Sequence, residues 1–377
     1  MSLFVDNLFD DIFAKSRNCN IFGTEDDLFK PIQKVASIVI SKPSEPKSLA
    51  GRIAQAVNIK GFDESSAMAA HDKASSVFAS VNHVKLDKTS LTILDPASAY
   101  VIHTHDQEIG FGGFNKVKHA TLVEKQKGEW VVTKVAMRKP HTQGSALTYS
   151  EGQALLKDVN LKCLDTPLYV FKPEGKTSEY ALSPLAIGDM GSAEPEHLLK
   201  IARDVAQGLA DLHESNLIHR DVKPANVLVY GESAKLSDLD DLLTPDGQHH
   251  PHIGTQGYVA PEVLNSQIEK NDDLFSIQSK ASDAYALGVI LMDVSHQLMK
   301  AELKDDDYNS YMKEEKSEGK LGYQLMSSMI EDAIYADVQS SEVVKELRSL
   351  GKQLVSTDPS ARPSTSEVAA LLNKLCQ

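Results

Sequence analysis

The stretch LIHRDVKPANVLV, residues 217–229, decides how this chain is read. Within it Asp221, Lys223 and Asn226 bring a carboxylate, an ammonium and a side-chain amide into six residues, with apolar residues on both sides. The pattern of the chain differs before and after it. Upstream, from about Tyr100, YVIHTHDQEIG (100–110), KVKHATLVEK (116–125) and EWVVTKVAM (129–137) alternate or run apolar for strand lengths between Gly-bearing turns, which predicts an antiparallel sheet. After Gly191 the period becomes helical. Leu198, Leu199, Ile201, Ala202, Val205, Leu209 and Leu212 form one wide apolar face. SDAYALGVILMDV (282–294) is apolar nearly all round and is expected to be a buried helix. A small sheet domain followed by a helical one is the expected order.

Composition sets the limits. The 377 residues are 41% hydrophobic and 24% charged, enough apolar material to offset the entropy of ordering. No apolar run approaches the roughly 18 residues of a membrane span, and the opening MSLFVDNLFDDIFAK lacks the basic leader of a secretory signal. Lys+Arg 39 against Asp+Glu 53 gives a net charge of −14, which argues against nucleic acid as a partner. Cys19, Cys163 and Cys376 are scattered and not at metal spacing, so free thiols and a cytoplasmic setting are expected.

Residues 1–97 read as a helical extension. Leu3, Phe4, Leu8, Phe9, Ile12 and Phe13 recur at helical spacing, KPSEPK (42–47) has the character of a linker, and a second helical piece spans about 63–80. His103 and His105 share one face of a strand, expected to be exposed, and His249, His250 and His252 fall in a loop. The charged run 301–320 is expected to be a solvated insertion.

The central stretch, H-R-D-x-K-x-x-N, is similar to the catalytic loop of eukaryotic-type protein kinases. The resemblance covers about residues 98–377 in family order and does not cover 1–97. It implies an α+β, bilobal fold, with a sheet N-lobe and hinge over 98–186 and a mainly helical C-lobe over 187–377. It also assigns roles. Phosphoryl transfer needs positioning and charge neutralisation, so Asp221 would orient the attacking hydroxyl, Lys223 would sit by the transferring phosphate, and Asn226 would ligate a metal ion. In KLSDLDDLL (235–243) Asp238 takes the metal-binding position of the family's Asp-Phe-Gly, while Leu239 and Asp240 replace the Phe and the Gly. IGFGGFNKV (109–117) resembles the glycine-rich nucleotide loop: Gly110 and Gly112 match, Asn115 stands for the third glycine, and Val117 would cap the adenine.

Two frames compete for the lysine that holds the α- and β-phosphates. VAMR (135–138) puts Arg138 in the slot, and VVTK (131–134) puts Lys134 there. Glu151 of TYSEGQALLKDV (148–159) is the expected helix carboxylate. It follows Lys134 by 17 residues and Arg138 by 13, so the spacing favours Lys134, with Val132 on the same strand face against the adenine. EYALSPLAIGDM (179–190) resembles the hinge: Ser183 lies near the gatekeeper position, Pro184 offers a carbonyl and Ala186 an N–H to adenine, and Leu228 would close the pocket from below. GTQGYVAPE (254–262) is similar to the substrate-docking loop of serine/threonine kinases. Thr255 would bridge Asp221 and Lys223, Glu262 would pair with Arg362, and Asp283 would hold the catalytic loop.

The resemblance therefore implies a serine/threonine protein kinase using ATP with Mg²⁺ or Mn²⁺ on a protein substrate, with residues 1–97 open to a partner or regulator. The alternatives are a pseudokinase scaffold, supported by Asp240 and Asn115, and a kinase-like nucleotidyltransferase. The divergent motifs would suit a bacterial effector kinase, whose place of work would be a host cytosol.

Overall fold

A computed structural model describes residues 48–76, 82–111, 115–140, 148–244, 254–268, 278–302 and 341–377. The chain divides into two units, Met1–Glu45 and Pro46–Gln377, and every described residue belongs to the second. The expected helix at 3–13, the insertion over 303–320, Gly112, His249, His250 and His252 lie outside the described residues.

The second unit opens with two helices, α1 (Leu49–Val57) and α2 (Glu64–Ser76). Ser48 starts α1 by accepting from Gly51 N at 2.9 Å, and Asn58, at φ 46°, ends it in the left-handed region that Asn tolerates. Then come strands β1 (His83–Lys85), β2 (Thr89–Asp95), β3 (Ala99–Phe111), β4 (Asn115–Gln126) and β5 (Glu129–Pro140), helix α3 (Tyr149–Leu155), and strands β6 (Tyr169–Phe171) and β7 (Tyr180–Pro184). They form one antiparallel sheet in the order β1-β2-β3-β4-β5-β7-β6.

Alternation gives that sheet two apolar faces. Val101, Ala120, Leu122, Val135, Met137 and Leu182 fill one. Leu91, Tyr100, Ile102 and Val123 line the other, where Ile53, Val57, Ala67 and Ala70 of α1 and α2 cover them. Each fully buried leucine or isoleucine there contributes about 1.5–3 kcal/mol.

Residues 82–97 are not the tail of a helical extension. β1 and β2 add two strands to the edge of the sheet, and Thr89, Ser90 and Thr92 are buried in it. The polar composition of TSLTILD hid its strand character, yet hydroxyl-bearing β-branched residues suit a covered pleat. Nor is His103 on an exposed face: it is buried, its ring stacked on His83 at 5.9 Å.

Below the sheet, β8 (Gly188–Asp189), β9 (Val227–Tyr230) and β10 (Ser233–Leu236) make a small second sheet. The remaining described helices are α4 (Leu198–Glu214), α5 (Pro261–Ile268), α6 (Lys280–Glu302), α7 (Glu342–Leu354) and α8 (Thr365–Leu375). The amphipathic α4 buries Leu198, Ile201, Val205, Leu209 and Leu212, as its period predicts. Helix α6 is buried along Ala284–Met292, including its glycine contact with α7. A Cβ on Gly288 would stand 2.6 Å from Leu354 Cβ, so glycine there is what lets the two helices approach. The expected α+β architecture, a sheet lobe over a helical lobe, is what the chain adopts.

Candidate active site

The loop that follows α4 is held from below by one carboxylate. Asp283, 1% exposed at the start of α6, accepts from the backbone N of His219 at 2.7 Å and of Arg220 at 2.9 Å. His213 adds a third bond at 2.9 Å and is fixed in turn by Thr365. Burial, the largest influence on Asp283, works to raise its pKa, but the bond and charge of His213 and the contacts with His219 hold it below the usual carboxylate range. Arg220 sits at φ 76°, a left-handed conformation costing roughly 1–2 kcal/mol for such a residue. Its side chain offsets that strain with bonds to Gln278 (2.8 Å) and to Asp241 Oδ1 (3.0 Å).

The strained turn presents Asp221 to the cleft. Lys223 Nζ donates to Asp221 Oδ2 at 2.7 Å and to Thr255 Oγ1 at 2.6 Å, and Thr255 Oγ1 donates to Asp221 Oδ1 at 2.7 Å. This closed triangle is the arrangement expected of those three residues. Gly254, at φ 93°, allows the Thr255 loop to come so close: a Cβ there would meet Arg220 O at 2.8 Å. Asn226 spends its Nδ2 on the backbone oxygen of Asp221 (2.8 Å) and on Oδ2 (3.1 Å), so its Oδ1 is the atom left for a ligand. Asp238 stands at φ 64° at the head of the Asp-Leu-Asp turn, and Leu239 is buried in the helical core in place of the family's Phe.

The upper wall departs from expectation at the phosphate-binding slot. Lys134 is exposed, paired with Thr121 on the part of β5 that leads toward α1, and Val132 packs in the core under α1 and α2 rather than in the cleft. Glu151 is exposed too. It closes a capping box at the start of α3, its carboxylate accepting from Thr148 N at 2.7 Å and Oγ1 at 2.9 Å. The structure does not bring Lys134, Val132 and Glu151 together; spacing along the sequence could not tell that α3 begins at the cap.

Arg138 holds the inner position instead. It is 9% exposed, donates to Ser183 Oγ at 2.9 Å, lies 3.4 Å from Asp165 Oδ2, and stacks 5.6 Å from the centre of the Tyr149 ring. Burial, the largest influence, disfavours its charge, but Asp165 foremost, then Asp240, Tyr149 and Asp238, more than offset this and stabilise the guanidinium. Asp165, which the sequence reading did not single out, also accepts from Tyr230 Oη at 3.2 Å. It sits in a connection before β6 with no motif around it.

The two departures from the family pattern meet across the cleft. Asn115 Nδ2, at the end of the glycine-rich turn, donates to Asp240 Oδ2 at 2.9 Å, and Tyr149 Oη donates to Asn115 Oδ1 at 2.9 Å. Burial, only partly countered by Arg138, pushes the Asp240 pKa up to about 6, with Asp238 adding to the rise. Gly110 pairs with Val117, and Val117 pairs on its other side with Arg138, which sets this part of the turn above the cleft. Ser183 and Pro184 lie on β7 opposite Ala136 and Val135, Ala186 follows in the connection to β8, and Leu228 pairs with Asp189 below. At the far end of the docking loop Arg362 grips Glu262 through two bonds, 2.7 and 2.8 Å long, as expected.

The family model for the protein kinase domain matches residues 103–372. A membrane-associated tyrosine- and threonine-specific cdc2-inhibitory kinase of Drosophila melanogaster is 28% identical over 177 residues, 46% of this chain and 28% of that protein. A putative leucine-rich repeat receptor-like protein kinase of Arabidopsis thaliana is 33% identical over 215 residues, 52% of this chain and 22% of the relative. A probable serine/threonine-protein kinase of the same plant is 33% identical over 216 residues, 50% of this chain and 45% of its own length. In each case the match spans well under two thirds of the relative.

Proposed function

Because the chain belongs to the protein kinase family, we propose that it transfers the γ-phosphate of ATP to a serine or threonine hydroxyl of a protein. The observation that carries this reading is the triangle of Asp221, Lys223 and Thr255, each pair within 2.6–2.7 Å. In it one carboxylate oxygen is aimed by a hydroxyl and the other by an ammonium, the geometry needed to orient an incoming hydroxyl and take its proton. The substrate oxygen forms a bond to the γ-phosphorus as the bond to the β–γ bridging oxygen breaks. The proton passes to Asp221, ADP is the leaving group, and Lys223 balances the charge that spreads over the transferring phosphoryl oxygens.

Arg138, rather than Lys134, is the cation we assign to the α- and β-phosphates, with Asp165 in the role foreseen for Glu151. A guanidinium can meet phosphate through two bonds and stays charged where a lysine would lose its proton. Asn226 Oδ1 and the Asp238 carboxylate are hard oxygen donors fitting Mg²⁺ or Mn²⁺. Such an ion, when bound, neutralises phosphate charge. Gly110, Gly112 and Val117 would cover the nucleotide, Pro184 O and Ala186 N would meet the adenine edge, and Leu228 would lie beneath it.

A second reading, a scaffold that binds nucleotide or partners without transfer, is favoured by Asp240 and the outward Glu151. Incubation with γ-labelled and α-labelled ATP separates the possibilities. Label from the γ position that disappears in Asp221→Ala supports the kinase; label from the α position supports nucleotidyl transfer, and no label from either supports the scaffold.

A further inference from the structure

A second polar concavity lies away from the site just described. It is a partly open pocket between the C-terminal end of α1 and the covered face of the sheet, with a volume of about 140 Å³. Lys134 and Thr121, cross-strand neighbours on β5 and β4, line it together with Thr104 of β3, His119 and the α1 cap residue Asn58. None of the residues placed in the nucleotide cleft does.

These groups are unusual in what they lack. Thr104 is 6% exposed, and its shielded Oγ1 has no hydrogen-bond partner among the described residues. Leaving such a hydroxyl unsatisfied costs about 1–3 kcal/mol. Among the described residues the side chains of Lys134, Thr121 and Asn58 also make no hydrogen bond or ion pair. Among the described residues no carboxylate lines the walls, and the one full charge these residues bring to the space is the positive Lys134. The end of α1 adds a partial negative charge of about half a unit at most, less than the ammonium supplies. Burial first, and Lys134 second, lower the pKa of His119 and keep its ring toward the neutral form.

Thr104, Thr121 and Lys134 stand on three neighbouring strands and Asn58 on the helix cap, so polar groups line the space from both the sheet side and the helix side, which suits an anion with several oxygens to satisfy. The volume is near that of a cavity of about 150 Å³ that accepts benzene, enough for a phosphate group with a small substituent. We propose that this cavity is a binding site for a small phosphate, free or as a phosphomonoester, held by Lys134 with Thr104, Thr121 and Asn58 as neutral donors.

The test uses inorganic phosphate on the full chain without nucleotide or divalent metal. Thermal unfolding is followed as phosphate replaces chloride at constant ionic strength, since a ligand of the native state raises the midpoint saturably. The expected result is a saturable rise in the native chain and in Arg138→Met, at least a fivefold weaker apparent affinity in Thr104→Val, and no rise in Lys134→Met. Lys134 is exposed and the Thr→Val change is nearly isosteric, so both variants are expected to fold. The proposal is overturned if phosphate does no more than chloride, if acetate acts equally, or if Lys134→Met responds like the native chain. Loss of the response in Arg138→Met alone would overturn it too, by placing the anion in the nucleotide cleft. None of these outcomes depends on phosphotransfer.

Discussion

Replacing Asp240 by Asn should stabilise the protein at neutral pH and leave it nearly unchanged in acid. The carboxylate is half-buried between the lobes, where lost hydration outweighs the attraction of Arg138 and lifts its pKa to about 6. Its ordinary value is 3.8. The folded state therefore holds this proton more tightly than the unfolded chain does. That contribution is fully present below about pH 3.8 and is lost as pH rises through about 6. At ~1.4 kcal/mol per pH unit, the gap amounts to about 3 kcal/mol by pH 7.5. Asn keeps an oxygen that can accept the bond Asn115 Nδ2 now gives at 2.9 Å, so the substitution removes the buried charge without stranding its partner. Urea unfolding from pH 4 to pH 8, without metal or nucleotide, reads the effect. The advantage of Asp240→Asn should be near zero at pH 4 and grow through pH 5 and 6 to a plateau of about 2–3 kcal/mol. A variant no more stable than the native chain at pH 7.5 would refute the reasoning, since the attraction to Arg138 would then exceed the cost of burial.

Three further outcomes are expected. Arg138→Met should weaken ATP binding by about tenfold or more, the worth of a charge-assisted phosphate contact, and Lys134→Met should stay within about twofold when nucleotide affinity is measured by titration. Arg362→Ala should lower the unfolding free energy in urea by about 3 kcal/mol, because it strands Glu262 after removing two bonds of 2.7 and 2.8 Å. Phosphatase treatment and Thr244→Ala should both leave most transferase activity in a peptide-phosphorylation assay, because Asp241 already supplies the negative charge at 3.0 Å from Arg220.

The parts of the site legible in the sequence are those whose chemistry lies in one short segment or in fixed partners. Asp221, Lys223 and Asn226 share a single loop, and the contacts expected of Thr255, Asp283 and the Glu262–Arg362 pair are present. What escaped were contacts between elements. The choice of Lys134 rested on counting residues to Glu151, but Thr148 captures that carboxylate in a capping box, a local bond that outcompetes a distant partner for an exposed side chain. The VAMR frame places its cation inside: Arg138 at the inner end of β5 meets Ser183 and Asp165, whereas Lys134 ends beside α1. Asp165 and Tyr149 had no motif to announce them. The strands at 83–95 were obscured because their buried side chains are largely Thr and Ser, which composition counts as polar.

The departures from the family pattern become intelligible as one set. With Glu151 turned outward, a cation at the end of β5 needs another counter-ion, and Asp165 provides it at 3.4 Å. A guanidinium reaches Asp165, Ser183 and the Tyr149 ring together, and so can be held where no helix carboxylate steadies it. Asp240 adds negative charge beside that guanidinium, and Asn115 gives Asp240 a donor while taking one from Tyr149. A glycine at either 115 or 240 would break the chain of bonds that runs from α3 through the glycine-rich turn to the Asp-Leu-Asp turn. Reverting one position toward the family pattern therefore should not restore an ordinary site. It would leave a buried polar group unpaired, at a cost of about 1–3 kcal/mol, so the two replacements are best understood as one coupled change.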